Sequence, residues 1–205
     1  MNISFGQQKG RLEDARMLTG RGRYVSDWNL PGQASGVFLR ADRAHAKILS
    51  IDASAALDMP GVIAVVTGSE IVGAGFKPIP AAAPFKWKDG SEQRPAPRHC
   101  LAHEVVRHVG EVVALVVAET VAQAQDAADV VAVEYEDLPV VTTAEAAIAA
   151  GAPQLHPGAP GNVVLDWVGG DEAATQEAFA KASRVVKLTA YHSRALGHPM
   201  EPRAA

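Results

Sequence analysis

The stretch VVALVVA, Val112–Ala118, is the strongest strand signal in the chain. It is an unbroken apolar run rich in β-branched valine, which favours a pleated backbone over a helix. It is far too short to cross a bilayer as a helix. Gly110 precedes it and Glu119-Thr120 follows, so the run is punctuated at both ends. Thr120 is placed to cap a helix over residues 121–131, in which Ala124, Ala127, Ala128 and Val131 form one apolar stripe. Residues 132–135 read as the next strand, closed by Leu138-Pro139. Thr143 then caps an alanine-rich helix running through Ala150, with Gly151 at its C-terminal cap.

Upstream of the valine run, Val62–Thr67 (VIAVVT) is a second β-branched segment suited to a buried strand. Gly68-Ser69 offers an N-cap for a short helix containing Ile71 and Val72. Residues 54–59 read as a helical turn that ends at Pro60-Gly61. Residues 47–52 (KILSID) and the alternation of Val37, Leu39 and Ala41 with Gly36, Phe38 and Arg40 give two further strands.

Four stretches interrupt or flank this pattern. Residues 1–32 form an irregular arm with a local positive bias from Arg11, Arg16, Arg21 and Arg23 among glycines. Residues 73–97 carry Pro78, Pro80, Pro84, Pro95 and Pro97, and read as a long excursion loop that is mobile or held by a partner. Residues 151–161 (GAPQLHPGAPG) have the composition of a linker. Beyond it come a strand over 162–168, a helix over 172–182 capped by Asp171, and a strand over 184–193. The expected organisation is therefore α+β: an arm (1–32), a domain (33–150), a linker (151–161), and a second, incomplete domain (162–205). Two strands and one helix bury too little surface to stand alone.

Composition narrows the function. The chain has 205 residues, 48% hydrophobic and 20% charged, which suits a globular protein with a real core. A formal charge of -4 and a pI near 6.0 argue against a nucleic-acid partner. With Cys100 as the single cysteine, no intrachain disulfide can form. Residues 1–10 are polar and lack the apolar core of a signal peptide. A soluble cytoplasmic protein without membrane contact is the expectation.

The residues that could carry chemistry do not assemble into a known pattern. His99, His103 and His108 lie near Cys100, but no CxxC or HExxH spacing supplies a closed ligand set for zinc. A lone cysteine without a positioned base is read as a small buried hydrophobe, so Cys100 is not taken as a nucleophile. GRGRY at 20–24 lacks the strand before it and helix after it that a phosphate loop needs. Glu134 and Glu136 share one strand face, which reads as a solvated surface. Glu201 and Arg203, in the PMEPR run, suit either a structural ion pair or a supporting place beside a site.

Several phrases in order resemble the large-subunit family of xanthine dehydrogenase, aldehyde oxidase and aerobic carbon monoxide dehydrogenase. They are RLEDARMLTGRGRYVSDWNLPG (11–32), AHAKILSID (44–52), PGVIAVVTG (60–68), VRHVGEVVALVVAET (106–120), AQDAADVVAVEYEDLP (124–139), GAPQLHPGAPGNV (151–163), GGD (169–171) and HPMEPRA (198–204). The ending resembles the carbon monoxide dehydrogenase-like branch. Ala41-Asp42-Arg43 stands where family members often carry Ser-Pro-His, and His103 where they often carry an acid, so the substrate stays open. The resemblance implies an α/β hammerhead domain over 33–150 and the opening of a molybdopterin-binding domain after it.

It also implies the N-terminal part of a molybdenum hydroxylase large subunit, an oxidoreductase whose electrons leave through iron-sulfur and flavin subunits. The family's cofactor loops and catalytic glutamate lie downstream, so no catalytic, cofactor-binding or metal residue is carried over onto this chain. Molybdopterin belongs to the full-length subunit. The expected partners are the remaining molybdopterin-domain sequence or a companion chain, and a homodimer. A stand-alone interaction module and a truncated product remain the alternatives.

Overall fold

The structure is a computed structural model that describes residues 11–79, 84–192 and 197. Its larger compact unit spans residues 34–185. Two three-stranded antiparallel sheets organise it. The first joins β1 (Ser35–Arg40), β5 (Val112–Ala118) and β3 (Val62–Thr67), with β5 in the middle. The second joins β4 (Val105–Val106), β2 (Ala46–Asp52) and β6 (Ala132–Asp137), with β2 in the middle. Helices α2 (Ser54–Leu57), α3 (Gly68–Gly73), α4 (Val121–Val130) and α5 (Ala144–Ile148) connect or follow the strands.

The pattern of strand residues explains the packing. Successive side chains on a strand point to opposite faces. In β5, Ala114 and Val116 enter a core with Ala56, Val65 and the α4 residues Ala127 and Ala128. Val113 points the other way, into a second core with Ala41, Ala46, Ala102 and Val106. Leu39 and Val133 touch both cores and tie the sheets into one unit. Alanine on α4 lets the helix lie close to the sheet, and Ala124 and Ala127 are fully buried. Thr120 caps this helix by accepting the Gln123 N–H at 3.2 Å.

Gly110 makes the turn into β5 at φ +85°, a conformation that disfavours any side chain. Its N–H donates to Ala41 O at 2.7 Å, and its carbonyl accepts from Arg40 at 2.9 Å. The strand and helix expectations over 34–137 are met, with one short strand, β4, unforeseen.

Local chemistry shifts several boundaries. The N-cap of α3 is Thr67, not Gly68 or Ser69. Thr67 Oγ1 accepts from Glu70 N, while Glu70 Oε2 accepts from Thr67 N at 2.7 Å; glycine has no side-chain acceptor to compete. Gly68 serves close approach, because a Cβ there would overlap the Ala102 carbonyl. Thr143 does cap α5, by accepting from Ala146 N at 3.1 Å. That helix stops at Ile148 instead of Ala150, and its C-cap is Ala149 instead of Gly151. The Ala147 carbonyl is taken by Asn162 Nδ2 at 2.8 Å, which satisfies an end group without another turn.

The expected strands at 162–168 and 184–193 do not form among the described residues. The first is extended but pairs with the excursion loop: Arg94 N donates to Val164 O at 3.1 Å and Lys88 N to Asp166 O at 2.8 Å. In the second, Val186 and Leu188 are largely exposed, with no strand beside them to complete a ladder. The helix between is α6 (Glu172–Lys181), capped as expected by Asp171, which accepts from Ala174 N at 2.9 Å. Within 84–97 the loop is bonded to its own chain, where Trp87, Lys88 and Arg94 donate to carbonyls of the 160–167 segment.

The described residues of 1–33 and 186–205 belong to the second unit. The arm is not wholly irregular: it contains α1 (Asp14–Leu18) and a 3-10 turn at Val25–Asp27. The Arg23 guanidinium lies 5.1 Å from the Trp28 ring centre.

Two substitutions test the packing. Val116→Ala, at a fully buried position shared by the sheet and α4, should lose ~2 kcal/mol in urea unfolding, as a core truncation does. Gly68→Ala should destabilise much more than Gly73→Ala, where an added Cβ meets nothing within 4 Å. Equal unfolding midpoints for the two glycine variants would contradict the packing.

Candidate functional site

The best-built polar site surrounds Arg107, just after β4. Its N–H donates to Glu111 Oε2 at 2.5 Å, its Nε to Leu155 O at 2.9 Å, and one terminal nitrogen to Val105 O at 3.2 Å. One guanidinium thus joins the strand region to the 151–162 segment. Asn162 locks that segment from the other side. Its Nδ2 donates to Ala147 O and Pro153 O, both at 2.8 Å, and its Oδ1 accepts from Leu155 N at 2.9 Å. Asn162 sits at φ +57°, which asparagine tolerates better than most residues. Gln154 adds a bond from Gly161 N, and Ala159 is buried beneath.

Two histidines face this arrangement. His45 is buried, and its Nδ1 donates to Pro139 O at 2.7 Å. His156 is half-buried, and its Nδ1 has no hydrogen-bond partner. Burial lowers the His156 pKa from its usual 6.5; Arg107 and His45 push the same way, and Glu111 opposes them. The neutral imidazole is the form this packing accepts.

A second set of contacts fastens the excursion loop. Trp87 Nε1 donates to Val164 O at 3.0 Å, and Lys88 Nζ pairs with Asp166 at 2.7 Å. Arg94 stacks 4.1 Å from the Trp87 ring centre and donates to Pro160 O at 2.9 Å. Phe85 and Trp167 meet with ring centres 5.1 Å apart. Gly158 passes so close to Pro95 that an added Cβ would stand 2.6 Å from its carbonyl oxygen.

His103 lies 3.4 Å from Ser69 Oγ and 3.5 Å from Glu104. His99 meets the His103 ring edge-on, with centres 6.0 Å apart. Cys100 is exposed, not buried, because the adjacent Leu101 and Ala102 occupy the core instead. Glu134 and Glu136 lie on a solvated face, where they meet Ser50 and Lys47, each at 3.0 Å. Arg21 donates to Thr19 Oγ1 at 3.1 Å. Glu201 and Arg203 lie outside the described residues.

Arg107, Asn162 and His156 were not singled out from sequence. An asparagine inside a glycine- and proline-rich stretch was the one local signal, since it suits a left-handed turn.

The described residues do not fit molybdopterin. They hold no group of three or more His, Cys, Asp or Glu side chains placed for a metal. The glycines that approach other atoms most closely do so against this chain's own Ala102, Pro95, Gln123 and Trp167.

Asn162→Ala should cost ~1–3 kcal/mol, because it strips partners from half-buried backbone groups. Because the folded His156 pKa is lowered, its contribution is complete above 6.5 and lost as pH falls through the folded value. Stability against urea should therefore fall as pH drops from 7.5 towards 5, and His156→Leu should flatten that slope. An unchanged slope in the variant would count against the site.

Residues 19–139 match the family described as aldehyde oxidase and xanthine dehydrogenase, a/b hammerhead domain. The nicotine 6-hydroxylase large subunit of Paenarthrobacter nicotinovorans is 42% identical over 203 residues, covering 97% of this chain and 23% of that protein. The carbon monoxide dehydrogenase large chain of Afipia carboxidovorans is 36% identical, covering 96% of this chain and 24% of that protein. Among solved structures, Cu,Mo-CO dehydrogenase in its carbon monoxide reduced state superposes with a TM-score of 0.68 at 35% identity, over 87% of this chain and 23% of that one. The chain thus spans about a quarter of the length of these relatives. With two antiparallel sheets joined through β5 and that match across most of them, the chain belongs to the xanthine dehydrogenase, aldehyde oxidase and carbon monoxide dehydrogenase large-subunit family, as its N-terminal hammerhead region.

Proposed function

We propose that this chain supplies the hammerhead scaffold of a molybdenum hydroxylase large subunit and carries out no redox chemistry alone. The division into an arm (1–32), a hammerhead domain (33–150), a connecting segment (151–161) and the opening of a molybdopterin-binding domain (162–205) belongs to this reading. The observation that carries it is α6. None of its residues is buried, yet Ala174, Ala178, Phe179 and Ala182 line one apolar groove, and Phe179 is 57% exposed. A helix with an apolar stripe gains its stability by covering that stripe. The downstream molybdopterin-domain sequence, in the same polypeptide or in a companion chain, is the cover we assign.

In the complete enzyme, molybdopterin would supply the hydroxylation of a carbon centre, and iron-sulfur and flavin subunits would accept the electrons. The fastened 84–94 loop and the Arg107 junction would hold the frame against which those parts assemble. No helix among the described residues is long and apolar enough to cross a membrane. We place the assembly in the cytoplasm.

Affinity purification of the tagged chain from its native cells should recover molybdopterin-domain sequence and molybdenum. The same chain produced alone should bind no molybdenum and reduce no dye with aldehyde, purine or carbon monoxide. Where that sequence is a companion chain, Phe179→Ser should abolish the co-purification while leaving the unfolding midpoint of the isolated chain nearly unchanged, since the side chain is exposed. Stoichiometric molybdenum in the chain produced alone would overturn the reading.

A further inference from the structure

We propose that the cleft at the entrance to β5 binds a phosphate dianion. The cleft has a volume of about 260 Å³. Its basic residues come from separate places in the chain. Arg40 ends β1, Arg98 and His99 close the excursion loop, and His108 stands in the turn before β5. Ile79 and Val112 contribute apolar wall, and Glu111 is the one carboxylate in the lining.

Two of these side chains already bond within the chain. The Arg40 guanidinium donates to Gly110 O at 2.9 Å and lies 5.9 Å from the Phe38 ring centre. Arg98 is fixed at its backbone, where its carbonyl accepts from Ile79 N at 2.8 Å. His108 donates through Nδ1 to Val109 O at 3.2 Å, which leaves Nε2 as its other polar atom. Glu111 Oε2 accepts from Arg107 N–H, which holds this carboxylate at the edge of the cleft.

Among the described residues, no carboxylate forms an ion pair with Arg40 or Arg98. Two arginines against one carboxylate, Glu111, leave the lining with an excess of positive charge, which suits an oxyanion with several acceptor oxygens. The apolar wall leaves room for the organic part of a phosphate ester, although free phosphate presents the same charged group. The inference concerns this chain's own residues and stands apart from its assembly into a larger enzyme.

Cys100 provides the test, because it lines the cleft, is exposed, and is the sole cysteine. Its alkylation by iodoacetate, an anion, is compared with that by neutral iodoacetamide, relative to free cysteine in the same buffer. A cleft that concentrates anions should raise the iodoacetate-to-iodoacetamide rate ratio about tenfold. Arg98→Gln and Arg40→Gln should each bring the ratio back towards that of free cysteine. Millimolar inorganic phosphate or phenyl phosphate should slow iodoacetate, while sodium chloride at matched ionic strength should slow it less. Protection at lower concentration by phenyl phosphate identifies an ester as the ligand, and equal protection identifies free phosphate. A ratio equal to that of free cysteine, or protection by neither phosphate compound beyond the chloride control, would overturn the proposal.

Discussion

Burial of β5 on both faces is the constraint on which the rest of the larger unit depends. Adjacent residues of a strand point in opposite directions, so Val113 and Ala114 must each find an apolar environment on opposite sides. One side is met by α4 with β1 and β3, and the other by residues of the second sheet and its approaches. Leu39 and Val133 serve both cores, which makes the two sheets one packed body. The small volume of alanine on α4 follows from the same requirement, since a bulkier helix face would push the sheet apart.

The polar junction solves a different problem. Residues 151–162 contain little that can bury itself, and their prolines and glycines favour neither helix nor strand. Arg107 and Asn162 give that segment the hydrogen-bond partners that regular structure would otherwise supply. The same logic explains the excursion loop, whose backbone bonds run to another irregular segment instead of to a sheet. Two segments that are weak alone become ordered by pairing with each other.

This distinction also separates what was legible in the sequence from what was not. β1, β2, β3, β5, β6 and α4 are encoded by local periodicity, by valine-rich runs and by Thr120, so they could be read directly. The segments at 163–168 and 184–192 carry the same valine and leucine content, but a strand also needs a neighbour, and neighbours are set by the whole fold. β4 is two residues long and has no periodicity to read. The grouping of His45, Arg107, Glu111 and His156 depends on bringing distant segments together. Cys100 was misplaced for a related reason: which of three adjacent apolar residues turns inward is decided by register, not by composition.

The order of strands in the first sheet has a consequence for the birth of the chain. The central strand is the last of the three to be synthesised, after both β1 and β3. Until β5 follows, two apolar strands have emerged with unpaired edges and no sheet to join. Closing the sheet then joins residues far apart in sequence, such as Ser35 and Ala118, which is slow compared with helix formation. During that interval the nascent polypeptide exposes the kind of surface that aggregates or recruits chaperones. A translational pause before Ala118 would prolong that exposure, whereas one after it would find the sheet able to close.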